Sequence, residues 1–161
     1  MVNEKAVIIM GSGKDDKFSG IICKHLRNLG ITYERRVASA HKTPKKLLKI
    51  LKEYEESEDR IVYITVAGRS NALSGFVDAN TKYPVIACPP YSDAFSGLDI
   101  YSSLRMPSGV SPLVILDPEN AALAAAKILA LTNPKLSNRV LEYQQNIKDI
   151  VERADKKFRS V

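Results

Sequence analysis

The run Ile61-Val62-Tyr63-Ile64-Thr65-Val66 constrains the fold more than any other stretch of this chain. Nearly every residue in it is β-branched or aromatic, and polar side chains do not alternate with them. A strand wetted on one face alternates apolar and polar residues, whereas an unbroken apolar run marks a strand covered on both faces, as in a parallel sheet. Ala6-Val7-Ile8-Ile9-Met10 repeats the pattern, and Val85-Ile86-Ala87 and Leu113-Val114-Ile115-Leu116 are shorter versions. Thr32 to Val37 reads as one further strand.

Between these runs the period changes to that of a helix. From Asp15 onward, Phe18, Ile21, Ile22, Leu26 and Leu29 share one face, and Gly30 supplies the stop. Thr43-Pro44 signals an N-cap and first turn for a helix reaching about Glu56, with Leu47, Leu48, Leu51 and Tyr54 inward. Asp117-Pro118 and Asn133-Pro134 repeat that start, the first opening an alanine-rich helix, Ala121 to Leu131. Alternating strands and helices predict one α/β domain over residues 1–161. Its architecture is three-layered and doubly wound, of the flavodoxin or Rossmann type.

The last helix needs a second surface. Leu136, Val140, Tyr143, Ile147, Ile150, Ala154 and Phe158 recur near heptad spacing, over a length that overhangs a small α/β domain. Packing on a neighbouring subunit of a homo-oligomer is the expected arrangement; folding back along its own domain is the alternative.

Composition removes several function classes. No apolar run approaches the roughly 20 residues of a membrane span, and no signal-peptide layout precedes the first strand. Cys23 and Cys88 are isolated, without metal-ligand or disulfide spacing, so a cytoplasmic protein with reduced thiols is expected. The formal net charge of +6 is spread over helix surfaces without the aromatic interleaving that stacks bases. No nucleic-acid partner is expected, whereas a positive field suits a phosphorylated metabolite.

Ligands of open parallel sheets bind at the carboxyl ends of the strands. Four loops there resist a purely structural explanation: Gly11-Ser12-Gly13-Lys14-Asp15, Ser39 to Thr43, Ala67-Gly68-Arg69-Ser70-Asn71, and Cys88 to Asp93. The first is neither a dinucleotide fingerprint nor a P-loop, but its glycines let backbone N–H groups approach an anion. Ser12 and Lys14 can add phosphate contacts. Asp15 can take a ribose or simply cap the helix. His41 is the candidate acid–base group, since histidine side chains titrate near neutral pH. His25, beside the apolar face of the first helix, is assigned a surface or packing role. No nucleophile–base set and no zinc site can be assembled from two histidines and two separated cysteines.

Met10-Gly11-Ser12, Ser39-Ala40-His41-Lys42-Thr43, Ala67 to Gly75, Cys88-Pro89-Pro90 and Tyr101 to Gly109 occur in order along the chain. Together they resemble the aminoimidazole ribonucleotide (AIR) carboxylase/mutase family of purine biosynthesis. One branch of that family rearranges N-carboxyaminoimidazole ribonucleotide, and carries a Ser-Ala-His-Arg-Thr-Pro segment and a histidine in the third loop. The other carboxylates AIR directly with carbon dioxide, and carries Ser-Ala-His-Lys and Ala-Gly-Arg-Ser-Asn. With Lys42 and a histidine-free third loop, this chain looks like the direct carboxylase. The mutase, and a non-catalytic nucleotide-binding module, are the competing readings.

The resemblance implies AIR and carbon dioxide as substrates, without biotin, ATP or metal. It implies that His41 takes the ring proton, and that Lys42 and Ser70 face the carbon dioxide or new carboxylate. Gly68, Arg69 and Asn71 would shape that pocket, while Gly11, Ser12, Asp15 and Ser39 would hold the ribose phosphate. Lys14 stands where the family usually has a second serine, and would meet the phosphate as a point charge. The competing use of Arg69 is a structural ion pair. A tetramer or octamer is implied, with active sites near subunit boundaries.

Overall fold

The computed structural model describes residues 3–159. Its centre is a five-stranded parallel sheet in the order β2-β1-β3-β4-β5. The strands are β1 (Glu4–Met10), β2 (Thr32–Val37), β3 (Arg60–Val66), β4 (Val85–Ala87) and β5 (Leu113–Val114). The unbroken apolar runs do lie inside: Ile61 to Val66 are all buried, as are Ala6 to Met10. β5 is shorter than the four-residue run predicted, and Leu116 beyond it is exposed.

Helices cover both faces. α1 (Asp16–Asn28), α5 (Pro118–Ala130) and the start of α6 (Pro134–Arg159) lie over one face. α2 (Pro44–Glu55) and α3 (Ala72–Asp78) lie over the other. Each face therefore has its own apolar cluster, with Ile8, Val62 and Ile64 in the first and Val7, Ile9 and Tyr63 in the second. That split is the pleat of the strands made visible, since successive side chains point to opposite faces. The alanines of α5 (Ala121, Ala122, Ala125 and Ala126) are fully buried, which lets α5 lie close to both α1 and the sheet. His25 Nε2 meets Glu119 Oε1 at 2.9 Å across the α1–α5 seam, so it has a packing role.

Some side chains depart from the predicted faces. Ile21 and Leu48 are 39% and 44% exposed rather than inward; each flanks an apolar stripe that its neighbours fill. Gly30 ends α1 with φ +72°. The stop is therefore conformational, since this backbone geometry favours glycine. In α6, Leu136 and Val140 are buried and Tyr143 packs on the core, while Ile147, Ile150 and Phe158 are exposed. The helix does overhang the domain.

Candidate active site

β1 and β3 are neighbours at the centre of the sheet, and the chain leaves them towards opposite faces. This order is that of flavodoxin-like sheets, whose switch point lies between these strands. Gly11 N–H donates to Val66 O at 2.9 Å there, tying together the loops that follow β1 and β3. A cavity of about 550 Å³ opens above that junction. The first loop contributes Gly11, Ser12, Lys14 and Asp15, and the second Ser39, Ala40, His41 and Lys42. Gly68, Arg69 and Ser70 come from the third loop, and Pro90, Tyr91 and Ser92 from the fourth. Asn71 does not line the cavity: its side chain is buried, caps α3 through Ser74 N–H, and donates to Ser103 Oγ at 2.9 Å.

Local hydrogen bonds shape each wall. Ser12 Oγ accepts from Lys14 N–H at 3.2 Å, and Asp15 Oδ2 accepts from Ser12 N–H at 3.0 Å. This reciprocal pair caps the 3₁₀ turn Gly13–Asp15. Asp15 therefore does not cap α1 with its side chain. Its Oδ1 has no hydrogen-bond partner among the described residues.

Thr43 behaves differently from a simple cap. It occupies the N-cap position of α2, but its hydroxyl makes no cap bond there. Thr43 Oγ1 instead accepts from Ser39 N–H at 2.9 Å and donates to Ser39 O at 3.3 Å. Ser39 Oγ in turn accepts from Lys42 N–H at 3.2 Å. The Ser39–Thr43 loop is thus closed on itself, with the exposed His41 and Lys42 side chains projecting from it. The His41 imidazole has no hydrogen-bond partner among the described residues, which leaves both ring nitrogens available.

The third loop is held from outside. Arg69 has φ +61°, a left-handed conformation unusual for a residue with a side chain. Its N–H donates to Asp99 Oδ2 at 3.2 Å, and its carbonyl accepts from Ser102 Oγ at 2.8 Å. The alternative use of Arg69 in a structural ion pair is not what the structure shows, because no carboxylate meets its guanidinium among the described residues. Lys14 and Lys42 also lack acidic partners there. Three uncompensated cations face one cavity whose single carboxylate, Asp15, is turned towards Ser12. That balance attracts an anion. Sequence reasoning assigned no role to Asp99, Ser102 or Ser103, although the last two lie in the Tyr101–Gly109 segment that carried part of the resemblance.

Cys88 is adjacent in sequence to the fourth loop, but burial, helped by Asp117, pushes its thiol up to about 12. It is a core residue and not a nucleophile. Among the described residues, no group of three or more His, Cys, Asp or Glu could hold a metal ion. No described helix is long and apolar enough to cross a membrane.

Known proteins are similar to this chain in sequence and in fold. The chain is 56% identical over 155 residues to the phosphoribosylaminoimidazole carboxylase of Archaeoglobus fulgidus, covering 96% of this chain and 85% of that protein. It is 50% identical over 147 residues to the enzyme of the same name from Treponema denticola, covering 91% and 92%. The crystal structure of Treponema denticola PurE superposes with a TM-score of 0.92 at 48% identity, over 96% of this chain and 98% of that one. The family model for AIR carboxylase matches residues 5–149, and the chain belongs to that family.

Proposed function

We propose that this chain carboxylates AIR at ring carbon C4 with carbon dioxide, reversibly, to 4-carboxyaminoimidazole ribonucleotide in purine biosynthesis. The observation that carries the reading is the convergence of His41, Lys42 and Ser70 on a cavity that also presents Ser12, Lys14 and Asp15. The names of its relatives support it.

The chemistry needs little from the protein beyond orientation, charge and one base. The ring amine makes C4 of AIR electron-rich, and C4 attacks carbon dioxide to form the new carbon–carbon bond. The adduct then carries both a carboxylate and a proton on a tetrahedral C4. Loss of that proton to the His41 imidazole restores aromaticity, and the reverse reaction returns it. Lys42 and the Ser70 hydroxyl stabilise charge as it develops on the carboxylate oxygens. The ribose phosphate lies against Lys14, Ser12 and Ser39, with Asp15 Oδ1 accepting from a ribose hydroxyl. Gly68 and Arg69 shape the carboxylate side, and Asn71 contributes by holding that loop instead of by touching substrate. No step calls for biotin, ATP or a metal.

The histidine-free Gly68–Asn71 loop beside Lys42 favours direct use of carbon dioxide over rearrangement of a carbamate. Turnover of AIR with carbon dioxide, compared with freshly prepared N-carboxyaminoimidazole ribonucleotide, tests this. Efficient use of AIR without advantage from the carbamate is expected. Strong preference for the carbamate makes the protein a mutase.

We also infer a cytoplasmic homo-oligomer, a tetramer or octamer. The exposed Ile147, Ile150, Val151 and Phe158 on the overhanging part of α6 support an assembly. Sedimentation velocity tests it, and a monomer at micromolar concentration rejects it.

A further inference from the structure

Ser70 is the candidate carboxylate contact that sits on the least regular backbone, between left-handed Arg69 and the start of α3. Both peptide groups flanking its Cα are held by one side chain from elsewhere. Ser102 Oγ lies 2.8 Å from Arg69 O, to which it donates, and accepts from Asn71 N–H at 2.9 Å. The same hydroxyl lies 2.7 Å from Asp99 O, in its own turn, so its one hydrogen is shared between the two carbonyls. Asp99 Oδ2 takes the Arg69 N–H, and Ser103 Oγ takes the Asn71 amide. These partners oppose relaxation of Arg69 out of the left-handed region, which is strained for a residue with a side chain. If Arg69 relaxed, Ser70 would turn with it.

We propose that Ser102, with Asp99, is a positioning residue for carboxylation: it locks the peptides on either side of Ser70 so that the Ser70 hydroxyl faces the incoming carbon dioxide. The proposal rests on the cavity being the carboxylation site. Ser102 does not line that cavity, and it acts on the reaction only through Ser70. The ribonucleotide contacts come from the first two loops, which Ser102 does not touch. Its removal therefore separates the two substrates.

The test is steady-state kinetics of the full chain with carbon dioxide and AIR varied in turn, beside direct titration of AIR binding. In Ser102→Ala, kcat/KM for carbon dioxide is expected to fall by about ten- to hundredfold while AIR affinity stays within about twofold, since small misplacements of a reacting contact cost rate before they cost binding. Ser102→Thr, which keeps the hydroxyl, is expected to recover most of the loss. Wild-type kinetics in Ser102→Ala overturn the proposal. So does an equal loss of AIR affinity and carbon dioxide use that Thr fails to rescue. If Ser102→Ala does not fold, Asp99→Ala removes only the acceptor for Arg69 N–H; a smaller loss confined to carbon dioxide supports the proposal, and unchanged kinetics overturn it. A wild-type chain that binds AIR but does not carboxylate it overturns the functional reading itself, and the proposal with it.

Discussion

Gly11 and Ala67 approach so closely across the sheet's switch point that a Cβ on Gly11 would stand 3.2 Å from the Cβ of Ala67. The contact closes the floor of the cavity, where the loops after β1 and β3 meet. Gly11→Ala forces those walls apart, and overpacking of this kind costs about 1–3 kcal/mol. Chemical denaturation should show that loss, and titration should show weakened ribonucleotide binding. Unchanged stability and affinity would mean that the two loops separate freely.

His41 projects from a loop that its neighbours hold shut, so its replacement should leave the loop intact. His41→Asn is expected to bind AIR normally and to lose turnover by at least ~100-fold, the scale of a missing general base. Pre-steady-state binding with steady-state turnover separates the two effects. Near-normal turnover removes His41 from the mechanism.

Lys42 shares that loop, and the proposed mechanism directs its charge to the new carboxylate. Lys42→Ala should raise the carbon dioxide requirement more than it weakens AIR binding. Loss of nucleotide affinity alone would make Lys42 a phosphate contact.

Far from the site, Glu34 provides a pH readout of the fold. The Lys5 ammonium at 2.7 Å, followed by the Tyr54 hydroxyl at 2.5 Å, holds its carboxyl below the ordinary value. A carboxyl depressed in the folded state stabilises above its unfolded value, about 4.3, and that contribution disappears as pH falls through the folded value. Glu34→Gln should therefore be less stable than the parent at neutral pH, with the gap closing below about pH 4. Denaturation midpoints measured between neutral pH and pH 3 check this. A gap that stays constant over that range means that the contacts at Glu34 do not depend on its charge.

Much of the fold was legible because burial on both faces leaves a plain signature in a strand, and because proline after a capping residue marks a helix start. Asp117 and Asn133 cap as predicted, with Oδ1 accepting from Asn120 N–H and Leu136 N–H. Thr43 shows where such reading stops: its hydroxyl has two available uses, and the loop geometry chose Ser39. Ile21 and Leu48 were misplaced because helical spacing defines a stripe but not its width. The short α3 and α4 (Tyr101–Leu104) went unread, being too brief to show a period.

The sequence by itself determined the layered parallel sheet, the loops that gather at its edge and the family, because these follow from local hydrophobic pattern and from short motifs. Only the tertiary structure decided which polar residues serve the cavity and which serve the loops around it. Asn71 and Ser70 are adjacent in the chain, yet one is buried as a cap and the other is exposed at the cavity. Their separation depends on Ser102, more than thirty residues away, which supplies hydrogen bonds to both sides of Ser70. Hydrogen bonds between distant segments have no period and leave no pattern in a single sequence.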